Sequence, residues 1–211
     1  MKKIKTALIS VSDKKNLKPL LNSLKKNNIK IISSGGTYKE IKKLKFKCLE
    51  VSEFTNSPEI LEGRVKTLHP KIHAGILNKR KSKIHLKDLK NNGFENIDLV
   101  IVNFYPFEET LKNTKNHNKI IENIDVGGPT MVRSAAKNYK DVTVITSSDQ
   151  YDELIKELLL NKGSTSLEFR EKLSRISFTE TAYYDSVISE YFNKKKSCNF
   201  SKKKNFSCKS Y

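Results

Sequence analysis

The run Thr6-Ala-Leu-Ile-Ser-Val11 decides the fold, because a helical pattern and a second apolar run follow it directly. A run of this length, rich in apolar residues, is typical of a buried strand. Leucines then recur at helical spacing at positions 17, 20, 21 and 24, and residues 29–32 are again mostly apolar. A strand, a helix and a strand in this order predict two parallel strands joined by a right-handed crossover.

The same alternation continues along the rest of the chain. It predicts a turn over residues 33–37, a short helix over 38–44, a weak strand over 47–51, an irregular stretch over 53–70, the clearest strand over 97–104 and a final strand over 142–146. Further helices are predicted after Pro106 and over 129–138, 149–161 and 166–192, the last with a capping box of Thr165 and Glu168. The predicted fold class is α/β, with a Rossmann-like, mostly parallel sheet flanked by helices.

Length and charge limit the class of protein. The 211 residues are enough for one domain with its own core, which we place at residues 1–193. Residues 194–211 contain seven lysines and no acid, and we expect this tail or linker to be disordered. The formal net charge of +18 suggests a nucleic-acid partner, but the tail supplies seven of these charges and only five of the 41 basic residues are arginine. A small anionic substrate would benefit from the same field, so we expect no nucleic-acid partner.

Cysteines and hydropathy bear on the compartment. Three cysteines, an odd number, in a chain that starts without an apolar leader favour the reducing cytoplasm. No apolar stretch approaches the roughly 20 residues of a membrane span, so we expect no membrane partner. The sequence leaves the oligomeric state open, a homodimer included.

Polar residues cluster at four places near the ends of predicted strands and at the start of a predicted helix. They are residues 10–14, residues 34–37, Asn103 with Tyr105, and residues 125–128. Ligands of open parallel sheets bind outside the carboxyl ends of the strands. The sequence therefore predicts a single site along that edge of the sheet.

Two of the segments fit an anion. Ser34-Gly-Gly-Thr37 can offer backbone N–H groups and hydroxyls to a phosphate, or it is an ordinary turn between a strand and a helix. It is neither a P-loop nor a dinucleotide fingerprint. In Gly63-Arg-Val-Lys-Thr-Leu-His-Pro70, Arg64 can bind a phosphate through two hydrogen bonds and Lys66 can act as a point charge, although most charge runs are solvated loops.

Two pairs of residues leave their roles open. His69 and His73 have the spacing of a zinc pair on a helix, but no third ligand accompanies them, and we expect no metal site. Asp125 and Lys137 bracket a predicted helix, an arrangement that the helix dipole favours without any catalytic role. A catalytic role needs both side chains at the same edge of the sheet.

Six collinear segments carry a family resemblance. They are Ile9-Ser-Val-Ser-Asp-Lys, Ser34-Gly-Gly-Thr, Glu62-Gly-Arg-Val-Lys-Thr-Leu-His-Pro-Lys-Ile-His, Val102-Asn-Phe-Tyr-Pro-Phe, Asp125-Val-Gly-Gly-Pro-Thr-Met-Val-Arg and Ala135-Ala-Lys-Asn. Through them the chain, up to about residue 192, resembles the bifunctional proteins that join an AICAR transformylase to an IMP cyclohydrolase. The resemblance implies a methylglyoxal-synthase-like fold. It also implies an activity, the last step of de novo purine biosynthesis. In that step the ring of FAICAR (5-formamidoimidazole-4-carboxamide ribotide) closes to give inosine monophosphate (IMP).

The resemblance further implies a set of site residues and no cofactor. The catalytic residues that it implies are Lys66, Tyr105, Asp125 and Lys137. The nucleotide contacts that it implies are Ser12, Asp13, Lys14, Ser34, Gly35, Gly36, Thr37, Arg64, Val65, Thr67, Val102, Asn103, Val126 and Gly127. These residue types suit an intramolecular attack of an amide nitrogen on a formyl carbon, which needs positioning, a cation for the developing oxyanion, and proton relays.

The chain also departs from the family pattern. Ala74 and Ser134 stand where the family more often has glycine and alanine, and nothing after residue 192 resembles the transformylase domain that usually follows. One alternative is a methylglyoxal synthase, a lyase of the same fold, although the loop over residues 64–70 and the Asp125-Val-Gly-Gly segment speak against it. The other alternative is a basic nucleic-acid-binding protein, which charge alone supports.

Overall fold

A parallel five-stranded sheet lies at the centre of the computed structural model, which describes residues 1–195. The strands are β1 (Lys2–Lys3), β2 (Thr6–Val11), β3 (Lys30–Ser33), β4 (Leu49–Glu50), β5 (Leu99–Asn103), β6 (Thr143–Ile145) and β7 (Ser164–Thr165). The main sheet has the order β4-β3-β2-β5-β6, with every neighbouring pair parallel, and β1 pairs antiparallel with β7 in a separate ribbon.

Helices flank this sheet and connect its strands. They are α1 (Leu17–Lys26), α2 (Gly35–Lys43), α3 (Val51–Thr55), α4 (Pro70–Leu77), α5 (Lys83–Asn91), α6 (Phe107–Asn113), α7 (His117–Glu122), α8 (Gly127–Lys137), α9 (Tyr151–Leu160) and α10 (Leu167–Lys195). Two short 3₁₀ turns, Leu61–Gly63 and Ser148–Gln150, complete the described elements. The predicted α/β class with a parallel sheet is confirmed.

The core forms where the apolar patterns of the sequence predicted it. Consecutive residues of β5, from Leu99 to Val102, are all buried, so helices cover both faces of this strand. The four leucines of α1 fall on one side of the helix and are each no more than 2% exposed. Burial of such side chains contributes roughly 1.5–3 kcal/mol each, which makes the pairing of α1 with the sheet a main source of stability.

The strand order reverses between β2 and β5. After β2 the chain moves outward through β3 to β4, and it then returns to place β5 on the other side of β2. Val11 and Asn103 are register partners, so the two strands end side by side. A crevice forms outside the carboxyl ends at such a reversal, and ligands of this fold class bind there.

Several local predictions were wrong. Helix α2 begins at Gly35, so residues 35–37 form its first turn and not the predicted turn before a helix at 38. Helices α3, α4, α5 and α7 and the ribbon of β1 with β7 were not anticipated. The predicted capping box was also wrong, because Thr165 is buried with its hydroxyl 2.9 Å from that of Thr143. Instead, the Ser166 hydroxyl accepts from the Phe169 N–H at 3.2 Å.

The C-terminal boundary can be followed only in part. Lys194 and Lys195, the first residues of the predicted tail, continue helix α10. Residues 196–211, which include the rest of that tail, lie outside the described residues. Within residues 1–195, none of the helices combines the length and apolar character that a membrane crossing requires.

A second apolar cluster, here called the wall cluster, joins α6, α7 and the later part of α10. Phe107, Ile120 and Tyr184 are buried in it, and Phe104 and Tyr191 pack against it while partly exposed. Helix α10 therefore has two roles, since its earlier part packs on α8 and β6 and its later part supports α6 and α7.

The start of α10 is fixed by a buried cation. Arg170 is 2% exposed, and its guanidinium donates to the carbonyl oxygens of Tyr139, Thr165 and Lys140 at 2.8, 2.5 and 3.2 Å. These carbonyls belong to the loop before β6 and to the end of β7. One side chain thus connects the start of α10 to the end of β7, just before it, and to the loop before β6, about 30 residues earlier.

We expect Arg170→Met to lower the free energy of unfolding by about 2–4 kcal/mol, because it leaves buried carbonyl groups without donors. Arg175→Met is the matched control, since Arg175 lies on the same helix and is exposed. Its effect should stay within about 0.5 kcal/mol. Chemical denaturation of both variants makes the comparison, and equal losses would contradict the role of Arg170.

Candidate active site

A cleft of about 660 Å³ opens at the carboxyl ends of β2 and β5. Its size suits a small ligand, and its lining combines apolar surface with a few charged groups. Fourteen of the residues predicted from the sequence line it: Ser12, Lys14, Ser34, Gly35, Gly36, Thr37, Arg64, Lys66, Thr67, Asn103, Tyr105, Asp125, Val126 and Gly127.

The floor of the cleft is held by two polar side chains. The Asn103 amide oxygen accepts from the N–H groups of Ser12 and Asp13 at 2.6 and 3.0 Å, and its nitrogen donates to the Asp13 carbonyl. The Thr37 hydroxyl both accepts from and donates to the backbone of Val11, at 2.9 Å each. These two predicted ligand contacts therefore also fix the loop that follows β2.

One end of the cleft is suited to an anion. Helix α2 begins there at Gly35, whose φ of +54° favours glycine and whose N–H lies in the first turn, where helical N–H groups have no partner within the helix. The Lys66 ammonium lies 3.3 Å from the point that a Cβ on Gly35 would occupy, and the Lys14 ammonium lies 3.8 Å from the same point on Gly36. A helix N-terminus with two ammonium groups over it favours a phosphate.

The loop over residues 63–69 carries Arg64 as well as Lys66. The guanidinium of Arg64 forms an ion pair with the Glu122 carboxylate on α7, with Nε 3.3 Å from Oε2. This pair bridges the mouth of the cleft, and both side chains are more than half exposed. Lys66 is more protected, at 25% exposure, and lies 3.8 Å from Glu59. Arg64 is therefore more accessible to solvent than Lys66, but its guanidinium is already paired.

Asp125 lies opposite these cations at the start of α8. Its Oδ1 accepts from the Gly128 N–H at 2.8 Å, and a Cβ at Gly128 would come within 2.4 Å of Oδ2. Glycine is therefore needed at position 128 for the carboxylate to take this place. The N–H of Asp125 donates to the Tyr184 hydroxyl at 2.8 Å.

Burial changes the acidity of the two groups that can transfer protons. It raises the pKa of Asp125, while the N–H groups of Gly128 and Tyr105 and the charge of Lys66 act in the opposite direction. Burial also raises the pKa of Tyr105, and the charges of Asp125 and then Glu59 add to this effect. A carboxyl with a raised pKa beside a phenol that stays protonated is typical of a site for acid–base chemistry.

Four predicted residues do not line the cleft. Val102 is buried in the sheet, and Asp13 and Val65 neighbour the lining without joining it. Lys137 is exposed at the last position of α8, about 15 Å along the helix axis from Gly127 at its first position. The structure therefore does not bring Lys137 together with Asp125.

Sequence reasoning missed one side of the cleft. Ile121, Glu122 and Ile124, from α7 and the segment after it, line the cleft together with Glu62 and Met131. Helix α7 has six residues, too few to show a clear period, which is why no signal pointed to it. The carboxylates of Glu62 and Glu122 offset part of the positive charge of Lys14, Arg64 and Lys66.

The histidine pair has separate structural roles. The His69 ring accepts from the Lys71 N–H at 3.1 Å at the start of α4, and His73 Nδ1 lies 3.3 Å from the Ser134 hydroxyl. Burial lowers the pKa of His73, although the Thr67 backbone opposes this. Within residues 1–195 no group of three or more histidine, cysteine or acidic side chains is arranged to hold a metal ion.

Comparisons with known proteins agree with this architecture. The family model described as the MGS-like domain matches residues 16–130, and the one described as the AICARFT/IMPCHase bienzyme matches residues 135–210. The crystal structure of ForH is 31% identical, with a TM-score of 0.79, and the match covers 90% of this chain and 99% of that one.

Sequence relatives extend the comparison to longer proteins. The bifunctional purine biosynthesis protein PurH of Prochlorococcus marinus subsp. pastoris is 50% identical over 93% of this chain, and that of Clostridioides difficile is 49% identical over 89%. The chain spans only 38% and 36% of the length of these two relatives. Since the MGS-like match covers more than half of the sequence, the chain belongs to the MGS-like domain family.

Proposed function

We propose that the chain is an IMP cyclohydrolase, which closes the second ring of IMP from FAICAR and releases water. The observation that carries the proposal is the convergence of Lys66, Tyr105 and Asp125 in one cleft beside an anion-binding helix start. The resemblance of the six sequence segments and the match to the AICARFT/IMPCHase bienzyme support it. The proposal concerns ring closure only, not formyl transfer.

Substrate binding begins with the phosphate of the ribotide. The start of α2, with the ammonium group of Lys14, receives the phosphate, because unpaired N–H groups and positive charge coincide there. Arg64 adds two charge-assisted hydrogen bonds once it leaves Glu122. These contacts are the same before and during the reaction, so they act on binding more than on turnover.

Ring closure needs little besides geometry and charge. The carboxamide nitrogen attacks the formyl carbon of the same molecule, so holding both groups in contact replaces the cost of a bimolecular encounter. Negative charge develops on the formyl oxygen as the new C–N bond forms. Lys66, partly shielded from water, is suited to stabilise that oxygen.

Two protons must move for water to leave. The nitrogen loses one proton, and Asp125 is suited to take it because its raised pKa makes it a stronger base than an exposed carboxylate. The departing oxygen gains two protons and leaves as water: Tyr105, which stays protonated at neutral pH, donates one, and the formamido nitrogen gives up the other as its double bond to the former formyl carbon forms. The proton that Asp125 took then returns to Tyr105, so both groups regain their starting states. Lys137 receives no role, because it lies at the far end of α8.

We expect the purified chain to convert FAICAR to IMP, measured by absorbance, with no effect of an added chelator. Lys66→Ala should lower turnover roughly 100- to 1000-fold, because it removes a preorganised partner of the oxyanion. Lys87→Ala, at an exposed position of α5, is the control and should leave turnover unchanged. Absence of IMP formation, or loss in chelator that zinc restores, would contradict the proposal.

We expect Glu122→Gln to tighten IMP binding by up to about 5-fold, because an exposed ion pair that competes for Arg64 is worth at most about 1 kcal/mol. Arg64→Ala should weaken binding instead. Glu95→Gln is the matched control, since Glu95 pairs with Lys30 outside the cleft at similar exposure. Calorimetry with IMP measures all three, and a weaker complex with Glu122→Gln would show that this carboxylate contacts the ligand.

We expect Asp125→Asn to abolish most turnover and yet to raise the melting temperature at pH 7. Burial raises the pKa of Asp125 above its unfolded value, so its stabilising contribution is present below the unfolded pKa and is lost as pH rises through the folded pKa. Asparagine avoids that loss, and the advantage should shrink as pH falls. Asp88→Asn, at an exposed position of α5, serves as control, and equal melting curves at pH 7 would refute the argument.

A further inference from the structure

Tyr184 is a buried phenol that meets the backbone beside the cleft. It is 7% exposed, and its hydroxyl accepts from the Asp125 N–H at 2.8 Å and lies 3.5 Å from the Asn123 carbonyl. The hydroxyl thus bridges both ends of the short segment between α7 and α8. Tyr184 is not among the residues that line the cleft, so its hydroxyl acts on the site through the backbone of Asp125.

We propose that Tyr184 is a positioning residue, which acts on the reaction only by holding the backbone of Asp125. This inference rests on the proposed cyclohydrolase function. Asp125 is fixed at two points, since its carboxylate accepts from the Gly128 N–H and its own N–H donates to Tyr184. With one point removed, the residue can rotate about the other.

The ring of Tyr184 is itself locked in the wall cluster. Its centroid lies 5.0 Å from that of Phe104 and 6.3 Å from that of Phe107. Phe104 is the neighbour of Tyr105, and Phe107 begins α6. The same phenol therefore ties together the two segments that carry the proton-transferring groups, and packing fixes where its hydroxyl stands.

The chemistry of the hydroxyl suits a permanent bridge. Burial raises the pKa of Tyr184 to about 12, so the phenol stays protonated at neutral pH. A protonated phenol can donate to the Asn123 carbonyl while it accepts from the Asp125 N–H. Without it, a partly buried N–H would lose its partner, and a misplacement of about 1 Å at a catalytic group can cost roughly 100-fold in rate.

Tyr184→Phe tests the proposal, because it removes the hydroxyl and keeps the ring. We expect turnover to fall by about 10-fold or more, with the Michaelis constant for FAICAR and the IMP affinity changed less than about 2-fold. Hydrogen exchange at the Asp125 amide, followed by NMR, should become faster. A residue that only contributes stability would not produce this split.

The matched control is Tyr191→Phe. Tyr191 lies on the same helix and in the same cluster, but its hydroxyl is 2.7 Å from His117 Nδ1, away from the cleft. We expect turnover and Asp125 exchange to stay near wild-type values. An equal fall in turnover for both variants would overturn the proposal, since it would indicate general loosening of the cluster.

Other outcomes separate this proposal from the proposed function. No IMP formation by the wild-type chain would refute the function, while Asp125 exchange in the two variants would still test the positioning. Normal turnover with Tyr184→Phe would overturn the positioning and leave the function intact. If Tyr184→Phe fails to fold, the wild-type amide decides, because an unprotected Asp125 N–H would show that the hydrogen bond does not hold.

Discussion

Parallel pairing of β2 with β3 on one side and β5 on the other is the constraint on which the rest depends. Parallel strands end at the same edge, so the polar residues after β2, β3 and β5 are brought together there without any further requirement. The reversal of strand order opens a crevice at that edge. Within that crevice the amide of Asn103 holds the loop after β2 to the end of β5.

The cleft brings together several cations and a partly buried carboxylate, and each of these groups would lower the stability of the fold in a less suitable place. Its cations gather at a helix start, where the dipole already favours an anion, and they lack a full set of carboxylate partners. Asp125 is partly removed from water, which raises its pKa and disfavours its charge. A rigid sheet with both faces covered can hold such groups in place. Because burial disfavours the charged carboxylate and so raises its pKa, it also makes Asp125 a stronger base.

The sequence predicted those strands and helices whose apolar pattern is local. It also predicted the residues that lie close together because the ends of parallel strands meet at one edge of the sheet. Two apolar runs predicted β2 and β5, and leucines at helical spacing predicted α1. Because the ends of parallel strands lie along one edge of the sheet, the polar residues that follow them predicted most of the cleft. The catalytic role of Lys137 stays a prediction, since the structure shows only that the length of α8 separates it from Asp125. Glu122 and Tyr184 were missed for different reasons. Glu122 lies on a helix too short to show a period, and the bond of Tyr184 is to a backbone N–H 59 positions away, which leaves no pattern in the sequence.

The two layers of the cleft differ in how they are supported. The floor is part of the main core, whereas the side formed by α7 rests on the wall cluster and on the later part of α10. Opening of a segment costs only the contacts that it breaks, so the smaller cluster is the less costly one to loosen. Two contacts join this side to the rest of the cleft. The Tyr184 hydroxyl binds the backbone N–H of Asp125, and Glu122 on α7 pairs with Arg64 in the loop over residues 63–69. The side of the cleft formed by α7 is therefore held by the same contacts that orient its charged groups, and this links the order of α7 to the geometry of the cleft.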